Sequence, residues 1–194
     1  MSPNANLLRA SRCVLLAMIL ATTSAAVAQI ETIDATARGT STQMGKDFDV
    51  RLSIDRLSTP EERAELKSAY QKGGQEALVE ALSKMKSVGR LRLPATTGYS
   101  IAYARVIPTP TGRKIRFLTD RPTAFAGHWN MARSTEYDLT GGEIDINEQD
   151  KSKSTGVLYP AIKVRTNKDG EIEFELFQNP WKLGNIIDWT KKGK

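Results

Sequence analysis

Apolar and polar residues alternate along most of the chain after residue 90, and this period of two is typical of β-strands. The pattern predicts strands over residues 48–55, 98–107, 113–119, 137–147, 157–166, 172–176 and 181–189. Successive hairpins without regular strand–helix alternation favour an α+β fold with a curved, mainly antiparallel sheet of about seven or eight strands. Closure into a barrel would reduce the number of exposed sheet edges, but the pattern alone does not decide whether the sheet closes.

The period changes between the first strand and residue 90, where two helices are predicted. Thr59, Pro60 and Glu62 form a helix start, because Thr59 can cap, proline fits the first helical position and Glu62 completes a capping box. This first helix is expected to stop at Gly73-Gly74, and a second helix to run over residues 75–87. The sequence therefore predicts a two-helix insertion after the first strand.

The hairpin near the C-terminus permits a prediction of register. Residues 162–166 and 172–176 both alternate, and Lys168-Asp169-Gly170 lies between them. A short loop that puts both apolar sets on one face places Val164 opposite Phe174. The same register puts Arg165 opposite Glu173 and Lys163 opposite Glu175.

The first 28 of the 194 residues have the order of a secretory signal. Arg9 and Arg12 precede the apolar run CVLLAMILA, and Ala26-Val27-Ala28 follows it. An uncleaved anchor or a buried N-terminal helix is the alternative. Cleavage after Ala28 would leave an exported protein, periplasmic or secreted, without a transmembrane span. We expect a flexible arm or one weak strand over 29–45, a single domain over 46–190 and a basic tail over 191–194.

The rare residue types exclude several kinds of chemistry. One cysteine cannot form an intramolecular disulfide or a multi-cysteine zinc site, and it is lost with the signal. His128 is the only histidine, and no G-x-S-x-G elbow is present. Residues 145–150 resemble the opening of a calcium loop but lack its glycine, so a hairpin tip is the preferred interpretation. We predict no catalytic residue, no metal site and no cofactor.

Charge is unevenly distributed along the sequence. Residues 84–121 contain nine basic residues and one acid, whereas residues 134–150 contain six acids and no base. The basic segment could form a face for an anionic ligand. Alternatively, basic and acidic strands could lie next to each other and neutralise one another. Export and the modest net charge make nucleic acid a poor partner.

Five residues of the basic segment are the candidate ligand-binding residues. Tyr99 and Tyr103 alternate with small residues and are predicted to share a face with Arg105. The turn at 108–112 would bring Arg113 and Arg116 near Arg105. Arginine suits an anion because its planar fork binds carboxylate or phosphate with two hydrogen bonds. Core packing of the tyrosines is the alternative.

Several short stretches resemble a family of secreted bacterial proteins associated with Acidobacteria. They are residues 73–78 (GGQEAL), 81–85 (ALSKM), Val88-Gly89, Tyr103-Ala104-Arg105, 119–122 (TDRP), 133–137 (RSTEY) and 180–183 (PWKL). The resemblance implies export and a single domain, and it implies no catalytic residues because the family has no assigned activity. The chain departs from the family at Gly127-His128-Trp129, where an acidic residue is expected nearby.

Three functional hypotheses follow. The favoured one is a non-enzymatic binding module for an anionic or amphipathic envelope ligand. The second is an envelope structural or protein-interaction scaffold without a small-molecule ligand. The third is a hydrolase that uses His128.

Overall fold

The computed structural model describes residues 31–41, 44–123, 139–166, 172–176 and 179–190. Nine strands and one long helix lie in these ranges. They are β1 (Glu31–Arg38), β2 (Asp47–Ile54), α1 (Pro60–Lys84), β3 (Gly89–Arg92), β4 (Tyr99–Thr109), β5 (Gly112–Thr119), β6 (Leu139–Asn147), β7 (Thr155–Thr166), β8 (Ile172–Leu176) and β9 (Trp181–Asp188).

Eight of the strands form a closed antiparallel barrel. Neighbouring strands pair in the order β6-β5-β4-β3-β2-β1-β9-β7, and β6 also pairs with β7, which closes the ring. The ninth strand, β8, pairs with β7 alongside the barrel. The prediction of an α+β, barrel-like antiparallel fold is thus confirmed. None of the helices in the described ranges has the length and apolarity needed to cross a bilayer.

Two details of the predicted order differ in the structure. One long helical element, α1, stands where two helices are predicted, but the chain does leave helical geometry at Gly73 and Gly74, where the sequence predicts a stop. Gly74 has a φ of 65°, a left-handed conformation that glycine adopts at little cost. The insertion also follows β2 rather than the first strand, because residues 31–38, within the segment predicted as an arm or weak strand, form β1 between β2 and β9.

Local signals account for the start of α1. The Thr59 hydroxyl accepts a hydrogen bond from Glu62 N at 3.2 Å, and Thr59 N donates to Glu62 Oε2 at 2.9 Å. This reciprocal pair is the predicted capping box. Arg56 donates to the same Glu62 carboxylate, at 2.7 and 2.9 Å, and ties the helix start to the end of β2.

The barrel has an apolar interior and one helix-covered outer face. Inside, the largest fully buried side chains include Trp181, Phe117, Leu52, Ile115 and Ile144. Outside, α1 packs Leu66, Leu78 and Leu82 against residues of β4 to β7, namely Ala102, Tyr103, Leu118, Leu139, Ile162 and Val164. The helix thus leaves the outer face of β9, β1, β2 and β3 uncovered.

Helix α1 also provides hydrogen-bond partners for the backbone of β7 beyond Ile162, the last residue of β7 on this side that pairs with β6. The Tyr70 hydroxyl donates to Val164 O at 3.0 Å, and Val164 N donates to Gln75 Oε1 at 2.9 Å. These two bonds replace ladder bonds that a further strand would make. They fix the helix on the β7 side of the barrel.

The register of the C-terminal hairpin is confirmed. Val164 lies opposite Phe174, and the flanking pairs are Arg165–Glu173 and Lys163–Glu175. Val164 is buried under α1, and Phe174 packs partly buried in the same cluster. The predicted loop at Lys168-Asp169-Gly170 lies outside the described residues.

Candidate functional site

Arg113, predicted to bind a ligand, lies inside the barrel in an ion-pair cluster. Its guanidinium donates to Glu31 at 2.8 and 3.2 Å, to Asp188 at 2.9 Å and to Glu148 at 2.7 Å. Thr190 adds a hydrogen bond to Glu31 at 2.6 Å. Arg113 is 8% exposed and Glu31 is fully buried. This arginine therefore joins strand ends at one end of the barrel rather than facing a ligand.

Burial and hydrogen bonding compete at Asp188 in this cluster. Burial alone would raise the pKa of Asp188, because it penalises the charged carboxylate. Hydrogen bonds from Thr190 and Arg113 outweigh burial and hold the pKa below its ordinary value. Folding therefore favours the charged form of Asp188 beside the guanidinium.

The predicted aromatic face is divided by a bulge in β4. The register between β4 and β5 shifts between Ile101 and Tyr103. Tyr99 and Ile101 consequently pack with the barrel interior, whereas Tyr103 is buried under α1. The prediction that both tyrosines share a face with Arg105 is therefore wrong for Tyr99, which lies before the bulge, whereas Tyr103 lies after it on the same side of the strand as Arg105. The Arg121 guanidinium lies 5.9 Å from the Tyr99 ring.

Arg116 and Arg105 are register partners on neighbouring strands. Arg116 donates to Glu143 at 2.5 and 2.6 Å and lies 5.6 Å over the Phe174 ring. Arg105 is half-buried and has no ion pair with any described residue. Glu143 belongs to the acidic segment, so neutralisation across the sheet accounts for Arg116. Only Arg105 of the three candidate arginines lacks a carboxylate partner in the described part of the chain.

The other candidates for chemistry are structural or outside the described residues. His128 lies in the undescribed segment 124–138. The acidic loop is a hairpin connection in which Asn147 Oδ1 accepts from two backbone amides and Asp150 caps a short 3-10 turn through Ser152 N. Within the described residues, no group of acids or histidines is arranged to hold a metal ion.

A shallow groove of about 520 Å³ crosses the uncovered outer face of the barrel. We call it the open-face groove. It is lined by Asp34, Ala35, Thr36, Asp49, Val50, Arg51, Arg92, Leu93, Pro94, Asn185 and Ile187. Most of its exposed lining is apolar surface, and two carboxylates, two guanidinium groups and polar side chains are set into it.

Strand register brings four of these residues into one row across the sheet. Ile187 on β9 pairs with Asp34 on β1, Asp34 pairs with Arg51 on β2, and Arg51 pairs with Arg92 on β3. Arg51 donates to Asp34 through Nε at 2.6 Å and Nη2 at 2.8 Å. The row therefore runs from an apolar side chain, through a bidentate ion pair, to a second guanidinium.

Trp189 extends the apolar end of this row. Its indole Nε1 donates to Asp34 Oδ2 at 3.0 Å. Hydrogen bonds from Arg51 and then Trp189 hold the pKa of Asp34 below its ordinary value. Trp189 is 58% exposed and Ile187 is 48% exposed. A large aromatic ring is thus held in one orientation while much of its surface remains in solvent.

A β-bulge shapes the edge of the open-face groove. The register between β1 and β9 shifts between Asp34 and Thr36. Asp34 pairs with Ile187, whereas Thr36 pairs with Gly184, which leaves one extra residue on β9. Asn185 lies in this bulge with a left-handed φ of 49°. Left-handed asparagine in a bulge redirects side chains and is frequent beside functional sites.

Arg92 is the guanidinium group of the groove that has no carboxylate partner among the described residues. It is exposed and directly opposite Arg51, whose guanidinium is already bound to Asp34. No carboxylate in the described ranges forms an ion pair with Arg92. Like charges opposite each other on a sheet repel, so an anion placed beside Arg92 would relieve this repulsion.

Sequence reasoning missed the open-face groove and misplaced Arg113. For Arg113 a signal existed, since it alternates with Ile115 and Phe117 and therefore points the same way as these core residues. For the groove there was none, because Asp34 and Ile187 come from opposite ends of the chain. No protein-family model, curated protein or solved structure matches the chain. The resemblance to a secreted family therefore stays a prediction.

Proposed function

We propose that the chain is an exported, non-enzymatic binding module that takes an anionic or amphipathic envelope ligand in the open-face groove. The supporting observation is that Arg92, without a carboxylate partner in the described structure, shares this face with the exposed apolar surface of Ile187 and Trp189. Arginine and tryptophan are the residue types that most often dominate binding energy.

Arg92 in the groove supports this role better than Arg113 and Arg116, which belong to the same basic segment. Arg113 is buried among three carboxylates, and Arg116 is bound to Glu143. A ligand anion would have to displace those carboxylates. An anion that binds Arg92 would displace no carboxylate of the described residues, and the groove provides a concave surface next to this guanidinium.

The alternative proposal is an envelope scaffold that binds another protein. The observation favouring it is the shallowness of the groove, since flat surfaces with tryptophan and arginine also suit protein interfaces. A small ligand that binds at this face supports the first proposal. A stable envelope protein partner, with no binding of small anionic ligands, supports the second.

Replacing Arg92 with Ala should weaken binding of an anionic ligand about tenfold or more. A charge-assisted hydrogen bond contributes about 1.5–3 kcal/mol, and about 1.4 kcal/mol corresponds to tenfold in affinity. The measurement is titration calorimetry at low and high salt with two probes, phosphatidylglycerol vesicles and a methyl-esterified oligogalacturonate that keeps one free carboxylate. Binding should weaken with salt, because exposed charges are screened.

Arg63→Ala is the matched control for this experiment. Arg63 is an exposed arginine on α1, away from the groove, so its removal changes net charge by the same amount. Equal losses of affinity in the two variants would mean that only net charge matters. No binding of either probe at low salt would remove the ligand-binding proposal.

Export predicts a processed N-terminus. When the full chain is produced in a bacterial host, N-terminal sequencing of the purified protein should begin at Gln29 or within a few residues of it. The protein should be recovered from the periplasm or the medium. A cytoplasmic protein that retains residues 1–28 would contradict export and the envelope setting of the ligand.

A further inference from the structure

We infer that the ligand of the open-face groove is an oligosaccharide bearing uronic acid carboxylates. This inference rests on the proposed function and specifies the chemistry of its ligand. Three features support it: the charge balance of the groove, the polar groups set into its walls, and the fixed orientation of Trp189.

The charge balance of the groove favours a sparsely charged ligand. Asp34 and Asp49 balance Arg51 and Arg92 in number, and Asp34 is already bound to Arg51. A densely anionic polymer lying in the groove would bring negative charge against the exposed Asp49. One carboxylate beside Arg92, with uncharged groups elsewhere, complements the groove without this repulsion.

Polar groups set into the walls of the groove suit a ligand with hydroxyl groups, and a groove this open to solvent does not suit an acyl chain. Thr36, Asp49 and Asn185 line it with hydroxyl, carboxylate and amide groups, which can exchange hydrogen bonds with sugar hydroxyls. Its apolar surface is interrupted by these polar groups, and the groove is open to solvent. An acyl chain would remain largely hydrated there and would gain little from burial.

Trp189 provides a flat surface for a sugar ring. The C–H face of a pyranose is apolar and can pack on an aromatic ring. The hydrogen bond from Trp189 Nε1 to Asp34, which Arg51 also holds, fixes the orientation of the indole before any ligand arrives. A preorganised side chain loses less conformational freedom on binding and so adds affinity.

The row across the sheet sets a minimum ligand length. From Ile187 on β9 to Arg92 on β3 the row crosses three strand spacings, about 14 Å in all. A single monosaccharide does not reach from the apolar end to the guanidinium, whereas a short oligosaccharide does. We therefore place one ring near Trp189 and Ile187 and the carboxylate of a later ring at Arg92.

Titration calorimetry with a methyl-esterified oligogalacturonate that keeps one free carboxylate, and with its fully esterified form, tests this inference. Full esterification keeps the rings and removes the single charge, so the acid should bind at least tenfold more tightly than the ester. In Arg92→Ala the two forms should bind about equally, because the group that distinguishes them is absent. Trp189→Ala should weaken both forms by a similar factor, and Arg63→Ala should preserve the preference for the acid.

The other outcomes separate this inference from the proposed function. Vesicles of phosphatidylglycerol that bind through Arg92, without any binding of the oligogalacturonate that keeps one free carboxylate, would overturn the glycan inference and leave the proposed function standing. Failure of both probes would overturn both. Equal affinity of the protein for acid and ester would overturn the role of the carboxylate. Circular dichroism of each variant shows whether a loss of binding reflects loss of the fold.

Discussion

Replacing Arg113 with Met should lower the free energy of unfolding by about 3–5 kcal/mol, because it removes one partner of a buried ion pair. Methionine keeps much of the apolar stem but leaves the fully buried Glu31 without its guanidinium. Asp188 and Glu148 would then face Glu31 with no cation between them. Urea denaturation followed by circular dichroism at neutral pH measures the loss.

A second variant shows whether the uncompensated charge causes this loss. Glu31→Gln in the Arg113→Met background removes the buried charge, so the double variant should be more stable than Arg113→Met alone. Exposed Arg63→Ala should change stability by less than about 0.5 kcal/mol. A loss below about 1 kcal/mol in Arg113→Met would mean that the cluster does not hold the barrel end together.

The same cluster predicts that the free energy of unfolding falls at low pH. The pKa of Asp188 is lower in the folded protein than in the unfolded chain, so folding favours its charged form. This contribution is fully present above the unfolded pKa of about 3.9. It is lost as pH falls through the lower, folded pKa. Asp188→Asn should remove this part of the acid sensitivity and lower stability at neutral pH.

The sequence pattern predicts correctly those parts of the fold in which the interacting residues are close in sequence. The capping box at Thr59 and Glu62 depends on residues three apart. The register of Val164 against Phe174 depends on two adjacent strands and a short loop. In both cases the residues that interact are close in sequence, so the side-chain pattern and turn geometry leave few alternatives.

The pairing of strands that are distant in sequence, and the β-bulges, could not be predicted from local sequence patterns. The pairing of Asp34 with Ile187 joins the ends of the chain and depends on barrel closure. The bulge after Ile101 changes which side of β4 faces outward, so Tyr99 packs with the barrel interior while Tyr103, on the same side as Arg105, is buried under α1. A prediction from strict alternation assumes that every strand is regular. A single extra residue therefore reverses the predicted inward or outward direction of every later side chain in that strand.

Phe117→Ala should lower the free energy of unfolding by about 3–5 kcal/mol, the usual cost of truncating a fully buried phenylalanine. Phe117 is 1% exposed in the barrel interior. Its register partners are Ala104 on β4 and Gly142 on β6. Neither partner can fill the space that the ring leaves, so a cavity would remain. Chemical denaturation should show a lower midpoint with an unchanged slope.

Gly142 provides an independent test of the same packing. A Cβ atom at Gly142 would lie 2.5 Å from Cζ and 2.6 Å from Cε1 of Phe117. Gly142→Ala should therefore cost about 1–3 kcal/mol through overpacking. In a Phe117→Leu background the added methyl group meets a shorter side chain, so the same substitution should cost less. Equal costs of Gly142→Ala in the two backgrounds would show that the ring of Phe117 does not pack over Gly142. The cause would then be the nearby Val157 carbonyl, which lies 3.2 Å from the same Cβ position.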